Sequence, residues 1–200
     1  MNNLFKRILV PIMTLAFLVS AAGLAHADDW SKLSKKKQTK LGLYMTAKQA
    51  DDYIQKNMSK TLFVDTRTPG ELAYLGTPAS IDSHVPFEFM DTSKWNDKKK
   101  VYLHVKNKNF VADIDARMKK KGLSKDDTVI LICRSGSRTA KAVNLLADAG
   151  YTQVYTIVDG YEGDKAKSGP TKGKRTVNGW KNSGLPWTYH LDKDVMYFTK

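Results

Sequence analysis

The residues of this chain best suited to chemistry stand together in Cys133-Arg134-Ser135-Gly136-Ser137-Arg138, which holds the only cysteine in 200 residues, two arginines and a glycine. The thiolate is the nucleophilic form of cysteine, and neighbouring guanidinium charge favours it over the thiol. Gly136 permits a positive φ, so that successive backbone N–H groups can turn toward one point. The segment reads as an anion-binding nest with a nucleophile at its base. The alternative, an inert buried cysteine among solvated arginines, gives no reason for these residue types to share one loop.

The elements that must hold this loop are legible on either side of it. Thr128 heads a continuous apolar run, Val129 to Cys133, rich in β-branched residues as a strand covered on both faces should be. After Ser137 the period becomes helical, with Ala140, Val143, Leu146 and Ala147 on one face and Gly150 as the stop. Cys133 is therefore expected at a strand end facing a helix N-terminus, whose unpaired N–H groups and dipole favour negative charge. Thr61 to Asp65 is a second strand, ending in Asp65-Thr66-Arg67 before a short helix that starts near Pro69. Strand ends on one side of a parallel sheet converge, so Asp65 is expected beside the cysteine loop, where it pairs with a loop arginine such as Arg138. Capping of the helix near Pro69 is a second role open to Asp65.

Cysteine, four residues, then arginine, as in Cys133 to Arg138, resembles the active-site loop of the rhodanese family, the single-domain sulfurtransferases. The related phosphatases have one more residue in this loop. Asp65-Thr66-Arg67 with Glu71 in the following helix resembles a second signature of the family, and Gly179-Trp180 with Gly184-Leu185-Pro186 resembles its closing segment. Where the family has a Gly-His-x-x-Gly-Ala type of segment, this chain runs from Gly76 to Pro86, and His84 stays outside the catalytic set.

The resemblance covers roughly Thr46 to Trp187. It implies a three-layer α/β domain with a mainly parallel central sheet and helices on both faces, which the alternation of strands and helices supports independently. The implied activity moves a sulfane sulfur from thiosulfate or a similar small anionic donor, through a persulfide on Cys133, to a thiol or cyanide acceptor that is either a small molecule or a protein. Arg134, Ser135, Gly136, Ser137 and Arg138 would bind the donor, and Asp65 and Arg67 would support the loop. Neither a cofactor nor a metal is implied. A non-catalytic persulfide carrier is one alternative, and a phosphatase-like or arsenate-reducing enzyme built on the same cysteine is another.

The remainder of the chain sets the context. Lys6 and Arg7 precede a predominantly apolar stretch from Ile8 to Leu24, and Ala25-His26-Ala27 has the small-x-small pattern of a cleavage site. Residues 1–27 thus read as a secretory signal peptide of bacterial type, and the mature protein as periplasmic or secreted. The apolar stretch is short and interrupted by Pro11, so no stable membrane insertion is expected after cleavage. A single cysteine in an oxidising compartment cannot form an internal disulfide. The formal net charge is +13, but the expected compartment and the scarcity of aromatics among the lysines argue against nucleic acid as a partner.

Residues 28–45, with Lys32, Lys35, Lys36, Lys37 and Lys40, read as a loosely ordered basic arm, and residues 46–200 as the folded domain. Thr46 and Gln49 have capping-box spacing and open a helix to about Asn57. A short strand is expected between Ala79 and Phe87, and a surface excursion from Phe89 to Lys108. Asn109 should cap a helix bearing Phe110, Ile114 and Met118, and Gln153 to Val158 should form another strand. The insert 164–178 is basic through Lys165, Lys167, Lys172, Lys174 and Arg175, and reads either as a solvated loop or as a lid over the cysteine loop. Val195 to Lys200 reads as a short edge strand or a frayed end.

Overall fold

The computed structural model describes residues 29–199; the expected signal peptide lies outside the described residues. The first elements are β1 (Tyr44–Met45), α1 (Ala47–Asn57), β2 (Thr61–Asp65) and α2 (Pro69–Leu75). Both helices open with a complete capping box, Thr46 with Gln49 and Thr68 with Glu71, which satisfies first-turn N–H groups. Then follow β3 (Thr77–Pro78), β4 (Ser83–His84), β5 (Glu88–Asn96), β6 (Val101–Lys106) and α3 (Phe110–Lys120). The chain is completed by β7 (Thr128–Ile132), α4 (Ser137–Asp148), β8 (Val154–Ile157) and β9 (Trp187–Thr188).

Five strands make a parallel sheet in the order β1-β8-β7-β2-β4. Every residue of β2 and β7 is buried, as continuous apolar runs covered on both faces require. Alternation divides these strands between two cores. Leu62, Val64, Val129 and Leu131 pack with Phe110, Ile114 and Met118 of α3 and with Val143 and Leu146 of α4. Phe63, Ile130 and Ile132 pack on the other face with Ala50 and Ile54 of α1, Tyr161 and Trp180. Each such large side chain, taken fully out of water, contributes about 1.5–3 kcal/mol before the entropy of ordering it is counted. The result is the expected three-layer α/β architecture, and it delivers the C-terminal ends of β2 and β7 to one edge.

Several local expectations are corrected. The basic arm, described from Asp29, is not loose: Lys37 is buried and its Nζ donates to Asp164 Oδ1 at 2.9 Å, while the Lys40 N–H donates to Asn144 Oδ1 of α4 at 2.7 Å. A buried ammonium must be paired, and Asp164 supplies the partner from the start of the insert. The excursion from Phe89 is an antiparallel hairpin, β5 with β6, exposed along most of its length. No side-chain bond from Asn109 caps α3; instead Asn107 Oδ1 accepts the Asn109 N–H at 3.0 Å, because the turn before the helix is organised by Asn107. Val195 forms no strand, but its carbonyl accepts the His84 N–H at 2.9 Å, so the C-terminal segment covers the edge at β4.

The insert 164–178 is folded back on itself, with isolated bridges joining Lys165 to Arg175 and Ala166 to Lys172. Its two ends meet. A Cβ added at Gly163 would lie 1.7 Å from Asn178 O, and one added at Gly179 would lie 2.4 Å from Gly163 N, so both positions admit only glycine.

Candidate active site

The loop between β7 and α4 is held from outside by its carbonyls. Tyr161 N donates to Cys133 O at 2.8 Å and Glu162 N to Arg134 O at 3.0 Å. In a trans peptide the N–H points away from the C=O, so the Arg134 and Ser135 N–H groups are directed away from the 160–162 segment. Gly136 has φ +84°, and a Cβ there would sit 2.3 Å from Val158 O; a Cβ on Gly160 would sit 2.6 Å from Cys133 O. Two glycines thus let the loop and the end of β8 approach backbone to backbone. Cys133 is 1 % exposed, and its Sγ lies 3.6 Å from the Thr139 hydroxyl in the first turn of α4. That hydroxyl also bonds Gly136 O and Thr156, so its position is fixed.

Cys133 forms the base of a cleft of about 510 Å³. Arg134, Ser135, Ser137 and Arg138 line it, whereas Gly136 supports it from behind. The two arginines differ in kind. Arg138 donates from Nη1 to Glu71 Oε2 at 2.7 Å and from Nη2 to Glu71 Oε1, and its Nε lies 3.8 Å from Glu88. Burial pushes the Glu71 carboxyl up, but the hydrogen bonds and charge of Arg138, with the Thr68 N–H and hydroxyl, outweigh it and hold the carboxyl at about 2. Arg138, desolvated but doubly bonded to Glu71, is raised above the ordinary guanidinium value. The Arg134 side chain has no hydrogen-bond or ion-pair partner among the described residues.

The expected pairing of Asp65 with Arg138 is not what forms. Asp65 makes a fully buried ion pair with Arg67, with Nη2 to Oδ2 at 2.6 Å and the Arg67 N–H to Oδ1 at 3.0 Å. Arg67 also donates to Gly76 O at 2.8 Å and stacks on the Tyr161 ring at 3.9 Å. The reason is alternation: Asp65 follows Phe63 on the α1 face of the sheet, whereas α4 packs against the opposite face. Asp65 does not cap α2 either, since Thr68 does. Asp65 and Arg67 instead fasten the end of β2 to the turn before β3. His84 is buried, and its Nε2 bonds Arg67 O at 2.8 Å; burial, with Asp65 and the Arg67 carbonyl opposing, leaves it below the ordinary histidine value.

Sequence reasoning did not place several residues that share the cleft with Cys133: Glu71, Glu88, Met90, Lys99 and His104, together with Lys36 of the arm. Arg175 of the insert also lines it. Burial lowers the Arg175 guanidinium from its ordinary value, and Arg134 adds like-charge repulsion to that effect. Arg175 has Glu162 as a counter-charge, with Oε2 3.9 Å from its Nε, and Asp164 adds to it, whereas the Arg134 side chain has no such partner among the described residues. Among the described residues no group of three or more His, Cys, Asp or Glu side chains is placed to hold a metal ion.

The rhodanese-like domain family matches residues 46–167, with the β7–α4 loop inside the match. The chain belongs to the rhodanese-like domain family. A protein of Rickettsia prowazekii, the uncharacterized protein RP600, is 30% identical over 132 residues, 66% of this chain and 85% of that protein. The uncharacterized protein RC0915 of Rickettsia conorii is 27% identical over 141 residues, 70% of this chain and 93% of that protein. Among solved structures, Rv0390 from M. tuberculosis superposes with a TM-score of 0.52 at 28% identity, covering 74% of this chain and 97% of that one. The family is of sulfurtransferase type, and its fold agrees with the parallel sheet described above.

Proposed function

We propose that this rhodanese-like protein is a sulfurtransferase acting outside the cytoplasm, with Cys133 carrying a sulfane sulfur taken from thiosulfate or a similar anionic donor. The observation that carries the reading is the Arg134 guanidinium, which has no anionic partner among the described residues and lines one cleft with Arg175 and the nucleophile Cys133. An anionic donor supplies the counter-charge that Arg134 lacks. The Cys133 thiolate attacks the outer sulfur of thiosulfate, a new S–S bond forms, and the bond to the oxidised sulfur breaks with its electron pair leaving on sulfite. The loop N–H groups and the N-terminus of α4 stabilise the charge left on the persulfide. Arg138 plays a different part: bound on two sides by Glu71, it fixes the loop's helical end.

The apolar start of the sequence supports an exported location, and no helix among the described residues is long and apolar enough to cross a membrane. Intact-mass analysis of the mature protein after exposure to thiosulfate tests the activity. One added sulfur atom is expected, absent in Cys133→Ser and removed by cyanide. No added sulfur, or sulfur that persists in the variant, would overturn the reading; turnover of an aryl phosphate instead would favour the phosphatase-like chemistry.

A further inference from the structure

The cleft contains an imidazole that the donor half of the reaction does not use. His104 on β6 lines the same cleft as Cys133, and its Nδ1 lies 2.8 Å from Glu88 Oε1 on β5. A carboxylate can only accept, so Nδ1 is the donor in this contact, and in the neutral ring Nε2 carries the lone pair. Nε2 has no hydrogen-bond partner among the described residues. Glu88 is in turn 3.8 Å from Arg138 Nε, so the carboxylate that orients the imidazole is itself anchored to the cysteine loop. The arrangement is a base with a free nitrogen, an orienting carboxylate and a nucleophile-bearing cysteine within one cleft.

Removal of the carried sulfur makes a demand that its loading does not. A thiol acceptor must lose a proton as its sulfur attacks, whereas thiosulfate arrives without one. We infer that His104, oriented by Glu88, is the general base for the acceptor thiol. This rests on the persulfide chemistry proposed above. In the step, Nε2 takes the proton of the acceptor R–SH while its sulfur attacks the outer sulfur of the Cys133 persulfide. The R–S to S bond forms, and the bond between that sulfur and Cys133 Sγ breaks. The electron pair returns to Cys133 as thiolate, R–S–S⁻ departs, and the imidazolium gives its proton to solvent. Nothing is oxidised or reduced overall, since the sulfane sulfur passes from one thiolate to another.

The charged surroundings suit this role. The cations that line the cleft with the imidazole are Lys99 on its own hairpin, Arg134 and Arg138 of the cysteine loop, Lys36 of the arm and Arg175 of the insert. Glu71 and Glu88 are the anions that line the cleft, and Glu71 is committed to Arg138. The hairpin is exposed along most of its length, so His104 is not a packing residue of the core.

The test separates the two half-reactions. Full-length mature protein is loaded with thiosulfate, and the persulfide form is mixed with 2-mercaptoethanol or with sulfite, which takes the sulfur through a lone pair and surrenders no proton. His104→Gln should lower the ratio of the thiol rate to the sulfite rate by about 10²-fold or more near neutral pH, the lower end of the range on the order of 10²–10⁴ for general base catalysis. The deficit should close as pH rises toward the ionisation of the thiol itself, and should be smaller for more acidic thiols. Glu88→Gln should lower the ratio by a smaller factor. An unchanged ratio, or equal slowing with both acceptors at every pH, would overturn the role of His104. Absence of loading in the unsubstituted protein would instead show the sulfurtransferase reading to be wrong, at a step before any acceptor is present.

Discussion

Arg134 and Arg138 are the same side chain in the same loop, yet their surroundings divide the work. Arg134 is exposed and unpaired among the described residues, so Arg134→Ala should raise the thiosulfate KM about tenfold, the loss of one charge-assisted bond, with Tm nearly unchanged. Glu71→Gln acts on the other arginine. It leaves the mostly buried Arg138 short of negative charge, and should cost about 2–3 kcal/mol of stability at neutral pH. Its pH signature has a definite sign. Glu71 is held at about 2 in the folded protein against an ordinary 4.5, so the folded state binds fewer protons, and the contribution is present above about pH 4.5 and lost as pH falls toward 2. Thermal melts from pH 6 down to 2 should show this loss in the unsubstituted protein and a shallower fall in Glu71→Gln; equal slopes would mean that Arg138 draws its support elsewhere.

At the scale of elements, the parts of the fold buried on both sides were the legible ones. Strands β2 and β7 and the apolar face of α3 could be read because burial writes a strong pattern, and the capping box of α1 could be read from its spacing. The pairing of Asp65 was misplaced although the information was present: counting along β2 puts Asp65 on the side of Phe63, away from α4. Glu71 was visible only as the glutamate of the second signature, and nothing in that pattern names the arginine its carboxylate holds. The hairpin was missed although Val101, Leu103 and Val105 alternate with Tyr102, His104 and Lys106, because the run Lys98 to Lys100 made the segment read only as a surface excursion. The Asp65–Arg67 pair makes the element-level prediction. Asp65→Asn leaves a fully buried guanidinium without its counter-charge and should destabilise the protein by about 3–5 kcal/mol, measured by urea unfolding. A cost below about 1 kcal/mol would mean that the carbonyl of Gly76 and the ring of Tyr161 suffice for Arg67.

For the whole molecule the question left by the sequence was which way the basic insert folds, since charge gives no direction. The structure brings Arg175 into the cleft but sends Lys165 and Lys167 to a neighbouring depression with Lys32 and Lys37. Thiosulfate turnover at subsaturating donor should therefore fall as salt rises, the fields being screened over about 8 Å at physiological ionic strength. Deletion of residues 165–175 should flatten that slope more than Lys165→Ala with Lys167→Ala does. Equal slopes in the deletion and the unsubstituted protein would confine the electrostatic attraction to Arg134 and its loop.

That the insert leaves and rejoins the domain at one point, where Gly163 and Gly179 touch, has a bearing on how such a protein can change its clientele. Trp180 N and Lys181 N bond the carbonyls of Gly160 and Tyr161, so the cysteine loop's neighbours are already secured on both sides of the junction without help from the residues between. The insert is a pendant on a closed clasp. Lengthening a flexible loop whose ends stay fixed costs only about 0.6 kcal/mol per doubling, so segments of other lengths and charges could hang from the same clasp with little strain on Cys133. Recognition of the incoming molecule would then be exchangeable as a cassette, while the cradle around Cys133 stays as it is.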